Sequence, residues 1–386
     1  MSELLALKNE INLRFDYLTI SLKLAQQHMG VGSEPSAVES DVSKDTQRTL
    51  LEVEKQARYD KELNRLSYSN YVQSLQNKIH NEINKRIELQ LEDKQQLVHN
   101  VLGFDQNLPD LLDALAAKAT SISKIEPIAA GMPWLYDELI RLINTPKYRR
   151  VDSNGKVVVV ESLKTALSYL GVENIKMLIP SIAFRRCLPQ ITDPFPKIKV
   201  QMMDASIGTA MSCKKLAQVN KLDSYNAFLL GLFHDFGKIV TIRLFFKFFD
   251  EVHREALLEA QNQRKPDEHF ALGEVTPSET FLLQALKKYG FALSTELLSH
   301  MPFKRLAFVE AMGDFASDKE IADLSPLGKV LVQGEGYNRY RTLKANKLIT
   351  LEEAKVYLRQ FSFPKGALAE LKLTNLRDFD IILDEK

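Results

Sequence analysis

The residues best suited to chemistry stand in one string, Ala227-Phe228-Leu229-Leu230-Gly231-Leu232-Phe233-His234-Asp235-Phe236-Gly237-Lys238-Ile239-Val240. Adjacent His234 and Asp235 at the end of an apolar helix can both aim at one point beyond it. That arrangement suits a divalent metal receiving one nitrogen and one oxygen ligand. Lys238, one turn past His234, offers a cation to a phosphate oxygen or to Asp235 itself. The alternative keeps the pair as structure: the carboxylate accepts from backbone N–H groups and the imidazole donates to a buried carbonyl. Gly231, Gly237, Gly334 and Gly336 lack the Gly-x-x-x-x-Gly-Lys-Ser/Thr spacing of a phosphate loop. Neither a Gly-x-Ser-x-Gly elbow nor a conventional Cys–His nucleophile arrangement is visible.

A second set of candidates is basic. Arg149, Arg150, Arg185 and Arg186 converge on an anion, such as a nucleotide or a phosphorylated partner, if the segment carrying the first two folds over the helix carrying the others. Against this stands a plain solvated surface. His253 and His269 lie in a charged stretch and read as solvated, and His300 reads as a helix-end residue whose cationic form favours that position.

The elements that must position these groups are helical. Leu4, Leu7, Ile11, Phe15, Leu18 and Leu22 recur at three and four residues, one stripe of an amphipathic helix ending near Gly30. Residues 30–45 mix Gly, Ser, Pro and charge and read as a mobile linker. From Thr46 to about Val101 there is neither Pro nor Gly, and Leu75, Ile79, Ile83 and Ile87 repeat at every fourth position. This is one long helix or two with a break at Ser67 to Asn70, packed on its own protein in preference to a long coiled coil, because no strict heptad is sustained. Shorter helices follow, one opened by Pro133 and stopped at Asn144-Thr145-Pro146. Tyr148–Val151 and Lys156–Val160 flank Asp152-Ser153-Asn154-Gly155, a hairpin signature. Beyond Ser162 the spacing predicts helices over 162–171, 173–186, 199–219, 224–234, 238–261, 278–289, 293–300, 303–312, 326–346, 351–361 and 364–373. The fold class is all-α, with a small β-hairpin insertion.

Composition narrows the function classes. The 386 residues carry 51 Lys+Arg against 50 Asp+Glu, a net charge of +1, so no global field draws the chain to nucleic acid or an anionic membrane. With 45% hydrophobic and 26% charged residues the chain can bury a core. Two cysteines, Cys187 and Cys213, make no disulfide framework and fit a reducing cytoplasm. The N-terminus lacks the basic start and apolar run of a signal peptide, and no stretch is long and apolar enough to span a membrane.

The His-Asp string, with Gly-Leu-Phe before it in order and Phe-Gly-Lys after, resembles the HD superfamily of metal-dependent phosphohydrolases and, more closely, its HDOD branch, the HD-related output domain of bacterial signalling proteins. Lys124-Ile125-Glu126-Pro127, the helix Trp134 to Ile143, Asn144-Thr145-Pro146 and the spacing in Glu161 to Gly171 are similar to the HDOD opening. The resemblance extends over about residues 108–340 and makes the hairpin an insertion between family helices. It implies an HDOD-like domain at 106–340, and the changes in patterning set off an N-terminal helical extension at 1–105 and a helical tail at 341–386. In HD hydrolases an earlier histidine and a later aspartate complete the metal site. Here Ala205 stands in the first place, and the later helix offers only Glu335. The resemblance therefore implies a degenerate site of His234, Asp235 and Lys238, with no catalytic residues and no cofactor. The implied function is a bacterial regulatory protein working through protein partners; the stripe of the N-terminal helices, which needs a partner to be buried, points to a partner or homodimer surface there. Two rival readings remain: a phosphohydrolase in which His234 and Asp235 hold Mn, Fe or Mg with Glu335 or Asp204 completing the shell, and a nucleotide-sensing module.

Overall fold

The apolar spacing at the N-terminus is realised as α1 (Ser2–Ile20), followed across Ser21 by α2 (Leu22–His28), with Gly30 at φ +67° just beyond. A computed structural model describes residues 2–30, 52–151, 155–306, 308–315, 317 and 319–376. Most of the expected linker, and Thr46 after it, lie outside the described residues. The Pro- and Gly-free stretch then forms one unbroken helix, α3 (Glu52–Gln90), with no break at Ser67 to Asn70. A short turn, α4 (Lys94–Gln96), runs into a π-helical turn at Leu97–Val101.

Next come α5 (Leu108–Ala116), α6 (Ile122–Ala130) and α7 (Pro133–Ile143), with proline in the first turn of α5 and α7, where no intrahelical N–H is needed. The hairpin shrinks to β1 (Arg150–Val151) and β2 (Val157–Val158), antiparallel with Arg150 opposite Val158. Residues 152–154 of its turn lie outside the described residues. The two helices expected over 162–186 form α8 (Leu163–Cys187), capped by Ser162 and broken at Gly171, whose φ of +72° only glycine adopts without strain. Then follow α9 (Ile198–Val219), α10 (Ser224–Phe233) and α11 (Phe236–Asn262).

Three stretches differ from expectation, the first being the helix expected over 303–312, which begins only at Val309 and runs to Phe315. The charged stretch after α11 folds into α12 (Pro266–Gly273), started by Pro266 with Asp267 and Glu268 in its first turn. The helices expected at 278–289 and 293–300 are one helix, α13 (Glu279–His300). It runs through Gly290, where a Cβ would stand 2.9 Å from Lys238 Cγ, so this glycine admits a neighbour and does not end the helix. The chain finishes with α14 (Val309–Phe315), α15 (Pro326–Ala345), α16 (Leu351–Arg359) and α17 (Ala367–Leu373). Ser325 caps α15, and Thr350 with Glu353 forms a capping box on α16.

The main core is helix on helix. α9 packs on α10 and α15, and α11 packs on α13. The stripe Leu75, Ile79, Ile83 and Ile87 of α3 is buried, with α3 lying on α11 and α12. A second, smaller cluster joins Ile11, Phe15 and Leu18 of α1 to Ala205, Leu343, Tyr357 and Phe361. Thus α1 packs on α9, α13, α15 and α16 of its own chain. No helix among the described residues is long and apolar enough to cross a membrane.

Candidate functional site

His234 and Asp235 form the joint between two buried helices, His234 closing α10 and Asp235 opening α11. The joint is tight because both flanking glycines face other backbones. A Cβ on Gly231 would stand 2.8 Å from Ala210 Cα, and one on Gly237 would stand 2.1 Å from the Gly290 carbonyl oxygen. Gly237 N–H donates to Ser294 Oγ at 2.9 Å, fixing α11 on α13. The glycines of the string are thus packing positions.

His234 is 1% exposed and Asp235 6%, so both have left bulk water. The Nδ1–H of His234 donates to the Gly231 carbonyl at 2.8 Å, which turns Nε2 toward acids: Asp235 Oδ2 at 3.4 Å and Glu335 Oε1 of α15 at 3.9 Å. Lys238 Nζ lies 2.9 Å from Asp235 Oδ1, an ion pair whose angle falls short of an aligned hydrogen bond, and 4.7 Å from the centre of the Phe291 ring. On α15, Arg339 donates to Glu335 and lies over the Phe15 ring of α1 at 5.4 Å. Asp16, the next residue of α1, lines a cavity of about 20 Å³ with Asp235, Lys238 and Lys287.

Burial alone would raise the Asp235 carboxyl, but His234, Lys238 and Arg339 bring it down to about 2. Burial also works against the Lys238 ammonium, yet Asp235 and Asp16 raise it above the usual lysine range. The Arg339 guanidinium opposes its own burial with the help of Glu335 and is raised too. Asp16 goes the other way: burial outweighs the attraction of Lys238 and Arg339 and pushes its carboxyl up. The site is therefore a lattice of alternating charge under α1.

Three potential donors, His234 Nε2, Asp235 Oδ2 and Glu335 Oε1, do turn toward one region. Their charge is already neutralised from inside the protein, because Lys238 holds Asp235 and Arg339 holds Glu335. A divalent ion would sit beside two buried cations, and this donor set does not fit a catalytic metal. Ala205 of α9, where the histidine of an HD hydrolase would stand, is buried against α1 in the smaller cluster. Asp204 is exposed and lines a separate cavity of about 500 Å³, whereas Glu335 approaches His234. The sequence did not single out Arg339 or Asp16. For Arg339 the available signal is an acid and a base four apart, Glu335 and Arg339, in a helix that is buried nearly all round.

Two of the arginine candidates are held by α7. Arg185 pairs with Glu138 of α7 at 2.7 Å, and Arg186 lies over the Trp134 ring at 4.6 Å, one turn earlier on α7. Arg149 is exposed, and Arg150 lies in β1. His269 and His300 are exposed as expected, with His300 at the end of α13. His253 is not solvated: it bonds the Leu272 carbonyl at 2.7 Å and stacks on Phe249, because α12 folds back over α11. Both cysteines are buried, which pushes the Cys187 thiol up to about 12 and raises Cys213 as well, so neither is a poised nucleophile.

Residues 104–274 match the family model of the HDOD domain. No curated protein and no solved structure matches the chain. The match takes in α5 to α12 and both sides of the His234–Asp235 joint, and it stops before α13 and α15, which supply Phe291, Glu335 and Arg339. The all-helical build, the glycine-framed joint and the family match lead to one assignment: residues 104–274 of this chain are an HDOD domain.

Proposed function

We propose that this chain is a non-catalytic bacterial signal-transduction protein of the cytoplasm that acts through protein–protein contacts of its HDOD unit. The observation carrying this reading is the internally neutralised lattice at His234, Asp235, Lys238, Glu335 and Arg339. A hydrolytic centre needs open coordination positions for water and substrate, whereas here protein cations stand beside both carboxylates. We take residues 106–340 as the HDOD-like unit, supported beyond the matched segment by the packing of α15 on α9. Metal content by mass spectrometry, on protein expressed with added Mn and Fe, tests the reading. Wild type and the His234→Ala, Asp235→Ala double variant are expected to be alike and free of stoichiometric metal. Stoichiometric metal that the double variant loses would overturn it.

The same reading includes self-association through the N-terminal helices. The stripe of α1 and the second half of α3 are buried on their own chain, so the face left for a second copy is the first half of α3. Tyr59, Leu63 and Leu66 lie on one side of it at 64%, 51% and 51% exposure. Leu63→Glu with Leu66→Glu is expected to convert a dimer to a monomer in light scattering without lowering the melting temperature. A wild-type chain that is monomeric throughout the micromolar range would sink this part.

A further inference from the structure

We propose that the groove beneath α1 is a docking site for an amphipathic helix of a protein partner that carries an acid beside its apolar stripe, and that α1 is the resident occupant which such a helix displaces. This rests on reading the chain as a protein-binding module and adds where and what it binds. The recognition pattern is the one α1 displays: Ile11, Phe15 and Leu18 at helical spacing in the smaller cluster, with Asp16 beside Phe15 over Lys238 and Lys287.

Two features separate α1 from permanent core, although its Ile20 belongs to the main hydrophobic core. The groove is wider than the helix that fills it, since a cavity of about 500 Å³ runs along the side of Phe15, Leu18 and Thr19 and another of about 280 Å³ along Lys8 and Asn12. The first is edged by Gln201, Asn338, Arg341 and Asn346, which offer hydrogen bonds to longer polar side chains than α1 brings. Finally, burial works against the charge on Asp16, so the helix is held against an electrostatic cost. Polar clamps set its register without filling these cavities: Arg14 reaches the Leu348 carbonyl at 3.2 Å and Glu353 at 3.0 Å, and Tyr357 donates to Asn12 at 3.2 Å.

The probe is a fluorescent peptide of residues 2–29, titrated by anisotropy into the full chain and into the full chain with Ile11→Ala and Phe15→Ala. A groove opened by those changes is expected to bind the peptide about tenfold more tightly than wild type does, because the resident competitor is weakened. A peptide with Phe15→Ala and Asp16→Lys is expected to bind neither. Hydrogen exchange on the wild-type chain gives a second readout, independent of any variant. Amides of α1 are expected to exchange about a hundredfold faster than those of α10 and α11, through local opening. Failure of the peptide to bind a variant that melts cooperatively would overturn the proposal, as would equal protection of α1 and α11. Exchange of α1 between two copies, seen as a dimer that the peptide dissolves, would overturn the assignment to a foreign partner. The metal measurement is untouched by these outcomes, so the non-catalytic reading stands or falls separately.

Discussion

Two buried histidines of this molecule sit in niches that begin alike and end differently. His80 on α3 donates Nδ1–H to the Gln76 carbonyl at 2.7 Å, as His234 does to Gly231 at 2.8 Å. At the far nitrogen they part. His80 Nε2 accepts the backbone N–H of Ser278 at 3.2 Å, and its ring stacks on Phe281 at 4.3 Å. His234 Nε2 faces two carboxylates that are in turn held by Lys238 and Arg339. One niche is a neutral splice between α3 and the start of α13. The other is a charge lattice in which each member depends on its neighbour.

The sharpest way to break the comparison is to remove one lattice cation. Lys238→Met leaves Asp235 buried beside an empty place, and about 3–5 kcal/mol of stability is expected to go, measured by urea unfolding. Adding Asp235→Leu to the same chain is expected to restore part of it, since replacing a whole buried pair by apolar groups costs less than halving it. A Lys238→Met chain as stable as wild type would show that no such mutual dependence exists. A smaller loss, about 1–3 kcal/mol, is expected for His80→Leu, which keeps the apolar packing but leaves the Ser278 N–H without its acceptor.

Acidification separates the niches with the smallest effect. Burial lowers the pKa of His80, so its contribution is fully present above the ordinary histidine value of about 6.5 and is lost as pH falls through its folded value. Asp235, held at about 2, keeps its contribution until far lower pH, losing it only between about 3.9 and 2. Hydrogen exchange corrected for intrinsic rates is therefore expected to show α3 loosening between pH 7 and 5 while the start of α11 stays protected. Loosening of α11 before α3 would reverse the assignment of the two niches.

The sequence carried the His234–Asp235 joint openly, because a helix-ending His-Asp pair framed by glycines is a local pattern. It also carried α7, through Pro133 at one end and Asn144 at the other, and the buried stripe of α3. What covers the joint was not legible. The stripe Ile11, Phe15 and Leu18 shows which face of α1 is buried, but periodicity names a face and never the surface it meets. The same limit hid Asp16, whose surroundings come from α11, α13 and α15. α12 was missed for another reason: Lys265-Pro266-Asp267-Glu268 was read as solvated charge, although a proline followed by acids is also a helix start. Gly290 misled in the opposite direction, since a glycine that admits Lys238 looks, in one dimension, like a stop.

The tight joint between α10 and α11 has a bearing on how strings of this kind are interpreted. Gly231 and Gly237 are demanded by neighbouring backbones, Phe233 and Phe236 by the core, His234 by a carbonyl three residues back, and Asp235 and Lys238 by each other. Folding alone is enough to maintain every one of these letters. Such a string can outlive its chemistry in a lineage with its spelling intact. By itself it therefore testifies to a fold, and a hydrolase is counted from its open coordination positions.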